Sequence, residues 1–241
     1  MPSEPTTDRR DELLPPLCHE LLNSLTVIAG YAHSLRMVSG DQAVQVAAKC
    51  AEVIDRHTAR MEAQIRNARE ADLLAGERVR LNTEPVDLGS AAREVIADLG
   101  AVLGRRPVSA RIAGDNRVSA DPVRLRLIVA NLLTNACKFS PADTDIDVSV
   151  APDGDQSALA ITDQGPGVAA EWREGIFERF GRPDSNVSGT GLGLYVARGL
   201  ARAHGGDLSV ADTATGACFI LRLPLASRNG SSTGPPQHKE P

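Results

Sequence analysis

The sequence predicts an α+β protein in which an antiparallel helical hairpin precedes an α/β sandwich. Three observations predict this class. Two long segments near the N-terminus repeat apolar residues at the spacing of amphipathic helices. Further along, short strand patterns alternate with helical patterns, as in a mixed sheet with one face covered by helices. Two glycine-rich turns then follow, the first after an apolar strand and the second directly before a helical pattern. Such turns let backbone N–H groups approach an anion closely.

Composition narrows the functional classes. The chain has 241 residues, of which 42% are hydrophobic and 24% charged, the values of an ordinary soluble protein. A net charge of −5 argues against nucleic acid as the main partner. The four cysteines form no C-x-x-C pair, so neither zinc nor a disulfide framework is indicated. No apolar run is long enough to span a bilayer and the polar N-terminus is no signal peptide, which predicts a cytoplasmic protein without membrane contact.

The first helix is expected to begin near Pro15 and Pro16. Residues 1–10 are polar, contain two prolines and show no periodicity, so we expect them to be disordered. The apolar positions that follow have a/d spacing over three heptads. They are Leu14, Cys18, Leu21, Leu25, Ile28, Ala32 and Leu35.

A second helix completes a hairpin over residues 11–76. Gly40 is the expected stop of the first helix and Asp41 the N-cap of the second. The second helix carries the same kind of seam at Val44, Ala47, Ala51, Ile54, Thr58, Met61, Ile65 and Ala68. One hairpin cannot bury both seams well, so we expect a homodimer that forms a four-helix bundle. The alternative is a hairpin that packs back on its own globular domain.

Residues 77–225 are predicted to form one α+β domain. Asp87 is expected to cap a helix that ends near Gly100, and Asp121-Pro122 is a good start for the next helix. Residues 108–120 read as a β-hairpin with Gly114-Asp115-Asn116 at its turn. Further strands are expected at residues 146–150, 159–162, 208–210 and 218–223. Residues 226–241 are rich in Ser, Gly and Pro and should be disordered.

The glycine-rich turns have the make-up of a polyphosphate site. The first follows an apolar strand and reads Ile161-Thr-Asp-Gln-Gly-Pro-Gly167, which leaves an acid free to read a base. The second reads Ser188-Gly-Thr-Gly-Leu-Gly-Leu194 and leads directly into a helical pattern, whose N-terminus favours anions. A P-loop is excluded because G-x-x-x-x-G-K-[ST] is missing, and a dinucleotide fingerprint would need glycine where Leu194 stands.

The order of three motifs resembles a known family. Asn131-Leu-Leu-Thr-Asn-Ala-Cys-Lys-Phe139 lies upstream of the two glycine-rich turns. In this order the three pieces resemble the N, G1 and G2 boxes of sensor histidine kinases, within the wider Bergerat-fold ATPase group. The resemblance extends over residues 17–224 and implies a dimerisation and histidine phosphotransfer hairpin followed by an ATP-binding domain.

The resemblance assigns cofactors and roles. It implies ATP and Mg²⁺, with Asn135 as the metal ligand, Lys138 as a phosphate contact and Asp163 as the adenine reader. The backbone around the base and the phosphates would come from Gly165, Gly167, Thr190, Gly191, Leu192 and Gly193. Asn131 stands where hydrolytic members of the group have a glutamate. An amide cannot take a proton from water, so bound ATP should be kept for transfer.

The first predicted helix carries a histidine with suitable neighbours. His19 is one residue off the apolar seam, so it should face outward. The stretch resembles the H box of the same family, which implies His19 as phospho-acceptor, Glu20 as orienting base and Asn23 as the amide of the phosphatase motif. Since Asn23 stands where H-E-x-x-H needs its second histidine, a zinc protease is excluded.

Three further features bear on this resemblance. Ser24 stands where the family usually has proline, so a kink in the first helix is not expected. Pro15-Pro16 lie close before His19, whereas most relatives extend the helix upstream to receive a signal. Residues 168–188 contain a stretch similar to the F box, Ile176-Phe-Glu-Arg-Phe180, and would be the ATP lid.

The expected function is that of a dimeric histidine kinase core, which passes a phosphoryl group from ATP to His19 and then to an aspartate of a response-regulator receiver domain. Dephosphorylation of that receiver is a further possible activity. Two alternatives stay open: a nucleotide-binding dimerisation scaffold without kinase activity, and a protein serine kinase with the same ATP-binding fold.

Overall fold

The computed structural model describes residues 14–39, 43–104, 106–181, 189–213 and 215–226. Two long helices, α1 (Leu14–Met37) and α2 (Ala43–Ala75), pack against each other as the N-terminal hairpin. The prediction that α2 breaks at Ala75-Gly76 is confirmed. The predicted stop at Gly40 and N-cap at Asp41 lie outside the described residues, as do residues 1–13 and most of the C-terminal tail.

The predicted apolar seams divide between two faces of the hairpin. Leu21, Ile28 and Leu35 of α1 lie half-buried against α2, together with buried Ser24. Other seam positions are exposed, namely Cys18, Leu25 and Ala32 of α1 and Val44, Ala51, Thr58 and Ile65 of α2. This exposure agrees with the expectation that one hairpin cannot bury both seams well. A helix in a four-helix bundle needs a stripe wide enough for two neighbours, and one hairpin covers only half of it.

The rest of the described chain forms a sandwich around a five-stranded sheet. The strands are β2 (Val108–Ile112), β4 (Ile146–Asp153), β5 (Gln156–Thr162), β6 (Asp207–Ala211) and β7 (Cys218–Pro224), in the order β2-β4-β5-β7-β6. β2 runs parallel to β4 and the other pairs are antiparallel. Two further strands, β1 (Glu84–Asp87) and β3 (Arg117–Ala120), form a separate antiparallel ribbon.

Three helices cover one face of the sheet: α3 (Leu88–Asp98), α5 (Pro122–Phe139) and α6 (Gly193–Ala203). A single turn, α4 (Gly100–Leu103), follows α3. Alternate side chains of β4, β5 and β7 are fully buried beneath the helices, which confirms the predicted one-sided sandwich. The predicted caps are also confirmed. Asp87 accepts from the Ser90 N–H, and Asp121 accepts from the N–H groups of Val123 and Arg124.

The predicted β-hairpin over residues 108–120 is wrong. β2 joins the main sheet through β4, and β3 joins β1. The turn between β2 and β3 carries the chain from the main sheet to the β1–β3 ribbon. Asn116 is fully buried there, donates to the carbonyls of Ala113 and Gly114, and accepts from the Ser157 hydroxyl. A turn fastened to β5 in this way fixes the exit direction more firmly than local strand propensity does.

A buried histidine joins the end of α6 to the start of α5. His204 Nε2 accepts the Asp121 backbone N–H at 3.0 Å, and Nδ1 lies 2.7 Å from the Leu200 carbonyl oxygen. Because Nε2 is the acceptor and a carbonyl faces Nδ1, the proton is on Nδ1 and the ring is neutral. This contact fixes the N-cap of α5, the helix that carries Asn131 and Asn135.

His204→Ala should lower the free energy of unfolding by about 2–3 kcal/mol, since it removes buried contacts and leaves the Asp121 N–H without its acceptor. Urea unfolding followed by far-UV circular dichroism measures the change. Arg202→Ala is the control, because Arg202 is an exposed neighbour whose ion pair with Asp207 should contribute under about 1 kcal/mol. Equal stability of the two variants would contradict the assigned role of His204.

Candidate functional site

His19 and Asn23 of α1 are both open to solvent. His19 is exposed, as predicted from its place beside the seam, and so is Asn23 one turn later. Residues four apart on a helix lie on the same face. His19 and Asn23 therefore present an imidazole and an amide together on the outer surface of the hairpin.

Glu20 points the other way. Its Oε2 accepts from Arg60 Nη2 and from Gln64 Nε2 of α2, each at 2.7 Å, and the residue is buried. A buried carboxylate with an arginine and an amide as donors is well compensated. The structure thus places the predicted orienting base inside the hairpin, where it also fixes the register of α1 against α2.

α5 supplies the predicted amides and the lysine. Its apolar stripe of Leu125, Ile128, Leu132 and Ala136 is fully buried, as predicted. Asn131 is buried on a second face, Asn135 is half-buried one turn further, and Lys138 is exposed near the helix end. Lys138 Nζ lies 4.6 Å from the centroid of the Phe139 ring.

The second glycine-rich turn meets this face of α5. A Cβ placed on Gly189 would lie 2.7 Å from Lys138 Nζ, and one placed on Gly193 would lie 3.5 Å from Asn131 Oδ1. α6 begins at Gly193, and among the described residues no side chain caps its first turn. The first N–H groups of α6 therefore start beside Asn131 without a side-chain acceptor from the described part of the chain. Thr190 and Leu192, which belong to this turn, are buried.

Asp163 holds the first glycine-rich turn together. It is 2% exposed, and its Oδ1 accepts from the N–H groups of Gly165 at 2.8 Å and Ala217 at 3.3 Å. Burial raises the pKa of this carboxyl above its ordinary value of 3.8, although the two backbone N–H groups and the nearby Arg106 favour the charged form. Asp163 thus caps the turn at Gly165 with one carboxylate oxygen.

The close packing of this turn explains its glycines. A Cβ on Gly165 would lie 2.6 Å from the Phe139 carbonyl oxygen, and one on Gly216 would lie 1.8 Å from the Asp163 carbonyl oxygen. Gly216 also has φ +72°, in the left-handed region. Only glycine lets the β6–β7 turn approach Asp163 this closely, so the Gly216 region acts as the third glycine-rich element.

An open cleft of about 450 Å³ lies beside the Asp163 turn. Its lining comes from residues 164–169, Arg173 and the β6–β7 turn. Within the described ranges, neither α5 nor residues 189–193 line this cleft. It is therefore a neighbour of the space between α5 and α6 and not that space itself.

Arg198 of α6, which was not among the residues predicted from the sequence, anchors the segment between the two glycine-rich turns. Ile176 and Phe177 of the stretch similar to the F box are buried, and Phe177 packs edge-on against Phe219. The Arg198 guanidinium of α6 lies 4.6 Å from the centroid of the Phe177 ring. Arg198 also donates to Glu174 at 2.6 Å and to Asp207 at 3.1 Å. Residues 182–188, the rest of the predicted lid, lie outside the described ranges.

A second missed contact joins the hairpin to the sandwich. Asn67 of α2 forms a reciprocal pair of hydrogen bonds with Asn131 of α5, at 2.8 and 2.9 Å. The sequence did carry a signal. In the last part of α2 the inward positions are Gln64, Asn67 and Ala71, so the stripe there changes from apolar to polar and small.

Comparison with known proteins places the chain in a family. Residues 120–227 match the family model described as histidine kinase-, DNA gyrase B- and HSP90-like ATPase. The sensory kinase SasA of Parasynechococcus marenigrum is 30% identical over 233 residues, covering 93% of this chain and 59% of that protein. The sensor-like histidine kinase SenX3 of Mycolicibacterium smegmatis is 30% identical, covering 82% of this chain and 56% of its own length. The chain thus spans less than two thirds of these relatives.

A solved structure agrees. The mycobacterial sensor histidine kinase MprB superposes with a TM-score of 0.54 at 31% identity, and the match covers 59% of this chain and 97% of that one. The C-terminal sandwich is thus an ATP-binding domain of the histidine kinase type. The chain belongs to the sensor histidine kinase family. In the described part of the chain, no helix has the combined length and hydropathy needed to cross a membrane.

Asp163→Asn should change how stability depends on pH. The variant keeps a carbonyl oxygen for the Gly165 and Ala217 N–H groups and loses the buried charge. Because the folded-state pKa of Asp163 is raised, its carboxyl stabilises the fold fully below the ordinary value of 3.8, and this stabilisation is lost as pH rises through the raised pKa. Urea unfolding between about pH 4 and about pH 7 should show the variant gaining on the wild type as pH rises. Parallel curves would contradict the assigned effect of burial.

Proposed function

We propose that this chain is the catalytic core of a two-component histidine kinase that phosphorylates His19 from Mg²⁺-ATP and passes the phosphoryl group to an aspartate of a response-regulator receiver domain. One observation carries the proposal. The Asn131–Lys138 face of α5 and the uncapped start of α6 converge on one space, while the family's acceptor histidine is exposed on the hairpin.

The residues beside this space suit a magnesium-held triphosphate. The N–H groups after Gly191 and Gly193 would bind the phosphates, and Lys138 would offset their charge. Mg²⁺ usually takes one or two protein ligands together with substrate phosphates, so the amide oxygen of Asn135 is a sufficient ligand. When bound, the metal neutralises charge that develops on the transferred group. Asp163 would accept from the exocyclic amine of adenine, with Gly165 and Gly167 close to the base.

The transfer reaction is a displacement at phosphorus. An imidazole nitrogen of His19 attacks the γ-phosphorus, the bond to the β–γ bridging oxygen breaks, and ADP leaves. A receiver aspartate then takes the phosphoryl group from His19. Glu20 Oε2 is hydrogen-bonded to Arg60 and Gln64, so Glu20 would orient the imidazole only after it leaves these partners. Asn131 cannot act as a base towards water, so ATP would be retained for transfer. Asn23 would position water for dephosphorylation of the receiver.

A homodimer is part of the proposal. The exposed large apolar residues of α1 and α2 include Leu22, Leu25, Val44 and Ile65, and a monomer would leave all of them in water. A second hairpin would cover them in a four-helix bundle. We further propose that this core works in the cytoplasm, where receiver proteins and ATP would both be available.

His19→Gln should abolish acid-labile label from γ-labelled ATP, because it removes the only proposed nucleophile. His33→Gln is the matched control, since His33 is an exposed histidine on the same helix and should keep wild-type labelling. Bound nucleotide without label on the wild type would favour the scaffold function instead. An acid-stable label that survives in His19→Gln would favour a serine kinase.

Leu25→Asp should convert the dimer into monomers, because a carboxylate in the bundle interior is strongly disfavoured. Sedimentation velocity measures the change. Val123→Asp is the control: Val123 is more exposed than Leu25, 76% against 48%, but it belongs to α5 and not to the hairpin helices. A wild type that sediments as a monomer would contradict the proposed bundle.

A further inference from the structure

The last part of α2 contacts the ATP-binding domain along one strip of its surface. The strip consists of Asn67, Glu70, Ala71 and Leu74, which have the i, i+3, i+4, i+7 spacing of a single helix face. Ala71 is fully buried, and Leu74 lies so close to α6 that a Cβ on Gly199 would be 2.7 Å from its Cδ1. The strip is thus a packed interface between α2 and the helices of the sandwich.

An ion pair fixes the register of this interface. Glu70 Oε2 accepts from Arg124 Nε at 3.1 Å, and both side chains are more than four-fifths buried. Arg124 Nη1 also donates to Asp121 and to the Arg80 carbonyl of the inter-domain linker. A shared arginine with three partners holds α2, α5 and the linker in one arrangement.

The reciprocal amide pair lies at the functional end of the strip. Asn67 Nδ2 donates to Asn131 Oδ1 at 2.8 Å, and Asn131 Nδ2 donates to Asn67 Oδ1 at 2.9 Å. Each residue is 8% exposed. A nucleotide beside Gly193 that took over these two hydrogen bonds of Asn131 would have to displace Asn67 of α2.

The pair has only two favourable arrangements. A buried amide without a partner is costly, so the interface is stable either with both hydrogen bonds formed or with both amides in water. A half-open interface would leave at least one amide buried and unsatisfied. The contact therefore behaves as a two-state element.

We propose that Asn67 is a positioning residue for phosphoryl transfer: with α2 docked it withholds the Asn131 amide from the triphosphate, and engagement of Mg²⁺-ATP requires the pair to separate. This inference rests on the proposed function, since it assigns Asn131 to the nucleotide site. Docking of α2 and use of Asn131 by nucleotide then oppose each other, and each weakens the other by the same factor. Two neutral hydrogen bonds correspond to a factor of about thirty.

Two variants of the full chain test the inference. Asn67→Asp replaces the donor to Asn131 Oδ1 by a carboxylate oxygen that repels it and keeps an acceptor for Asn131 Nδ2, whereas Asn67→Leu removes both hydrogen bonds at similar volume. The probe is Mg²⁺ with the non-hydrolysable ATP analogue AMP-PNP. Asn67→Leu should bind the analogue about thirtyfold more tightly than the wild type, and Asn67→Asp should bind it more tightly by a smaller factor. Arg66→Ala, an exposed neighbour on α2, is the control and should bind like the wild type.

Two further readouts separate positioning from mere packing. In the wild type, the analogue should speed hydrogen exchange over residues 67–74, whereas the variants should exchange rapidly there without it. The apparent KM for ATP in His19 labelling should fall in both variants. If the substitutions only disrupted packing, His19 labelling would fall and the apparent KM for ATP would not fall.

The outcomes distinguish this inference from the proposed function. Tight binding by the wild type with equal or weaker binding by both variants overturns the role of Asn67 and leaves the ATP site intact. No analogue binding by any form overturns both. Exchange over residues 67–74 that does not respond to the analogue also overturns the role of Asn67.

Discussion

The rotational setting of α5 is the constraint on which the proposed site depends. Leu125, Ile128, Leu132 and Ala136 are fully buried against the sheet. Burying one leucine or isoleucine is worth about 1.5–3 kcal/mol, whereas one neutral hydrogen bond contributes about 1 kcal/mol net. The apolar stripe therefore decides how α5 is turned, and the amides on its other faces follow. Asn131 faces α2 and the start of α6 because the hydrophobic stripe faces the sheet.

Two arginines then fix the neighbours of α5. Arg124 joins α5 to α2 and the linker, and Arg198 joins α6 to β6 and to the segment around Phe177. Both side chains are largely buried and serve several acceptors at once, which the planar guanidinium allows. The ion pairs that Arg126 forms with exposed carboxylates on the outer surface contribute less to the stability of the fold than these buried contacts. The position of the α6 start relative to Lys138 thus depends on contacts well away from the glycine-rich turn itself.

Local sequence signals were sufficient where the chain's own neighbours decide the structure. The caps Asp87 and Asp121, the hairpin helices, the apolar stripe of α5 and the β4–β5 pair were all predictable. The β-hairpin expected over residues 108–120 was wrong because β2 finds its partner in β4, more than thirty residues later. Asn67, Arg198 and His204 were missed for a related reason. A polar side chain on a helix looks solvent-facing until its distant partner is known, and all three have partners from other elements.

α2 physically links α1, which carries His19, to the ATP-binding sandwich. It is one uninterrupted helix of 33 residues, about 50 Å long, whose first part packs on α1 and whose last turns pack on the sandwich. Glu20 is fixed to Arg60 and Gln64, only one turn before Asn67. The acceptor helix and the Asn131 amide are therefore attached to the same rigid segment. Since a continuous helix resists bending, a movement that brought the nucleotide site towards His19 would occur at the docking strip and at the linker after Ala75, and its cost would be set by the small set of polar contacts there.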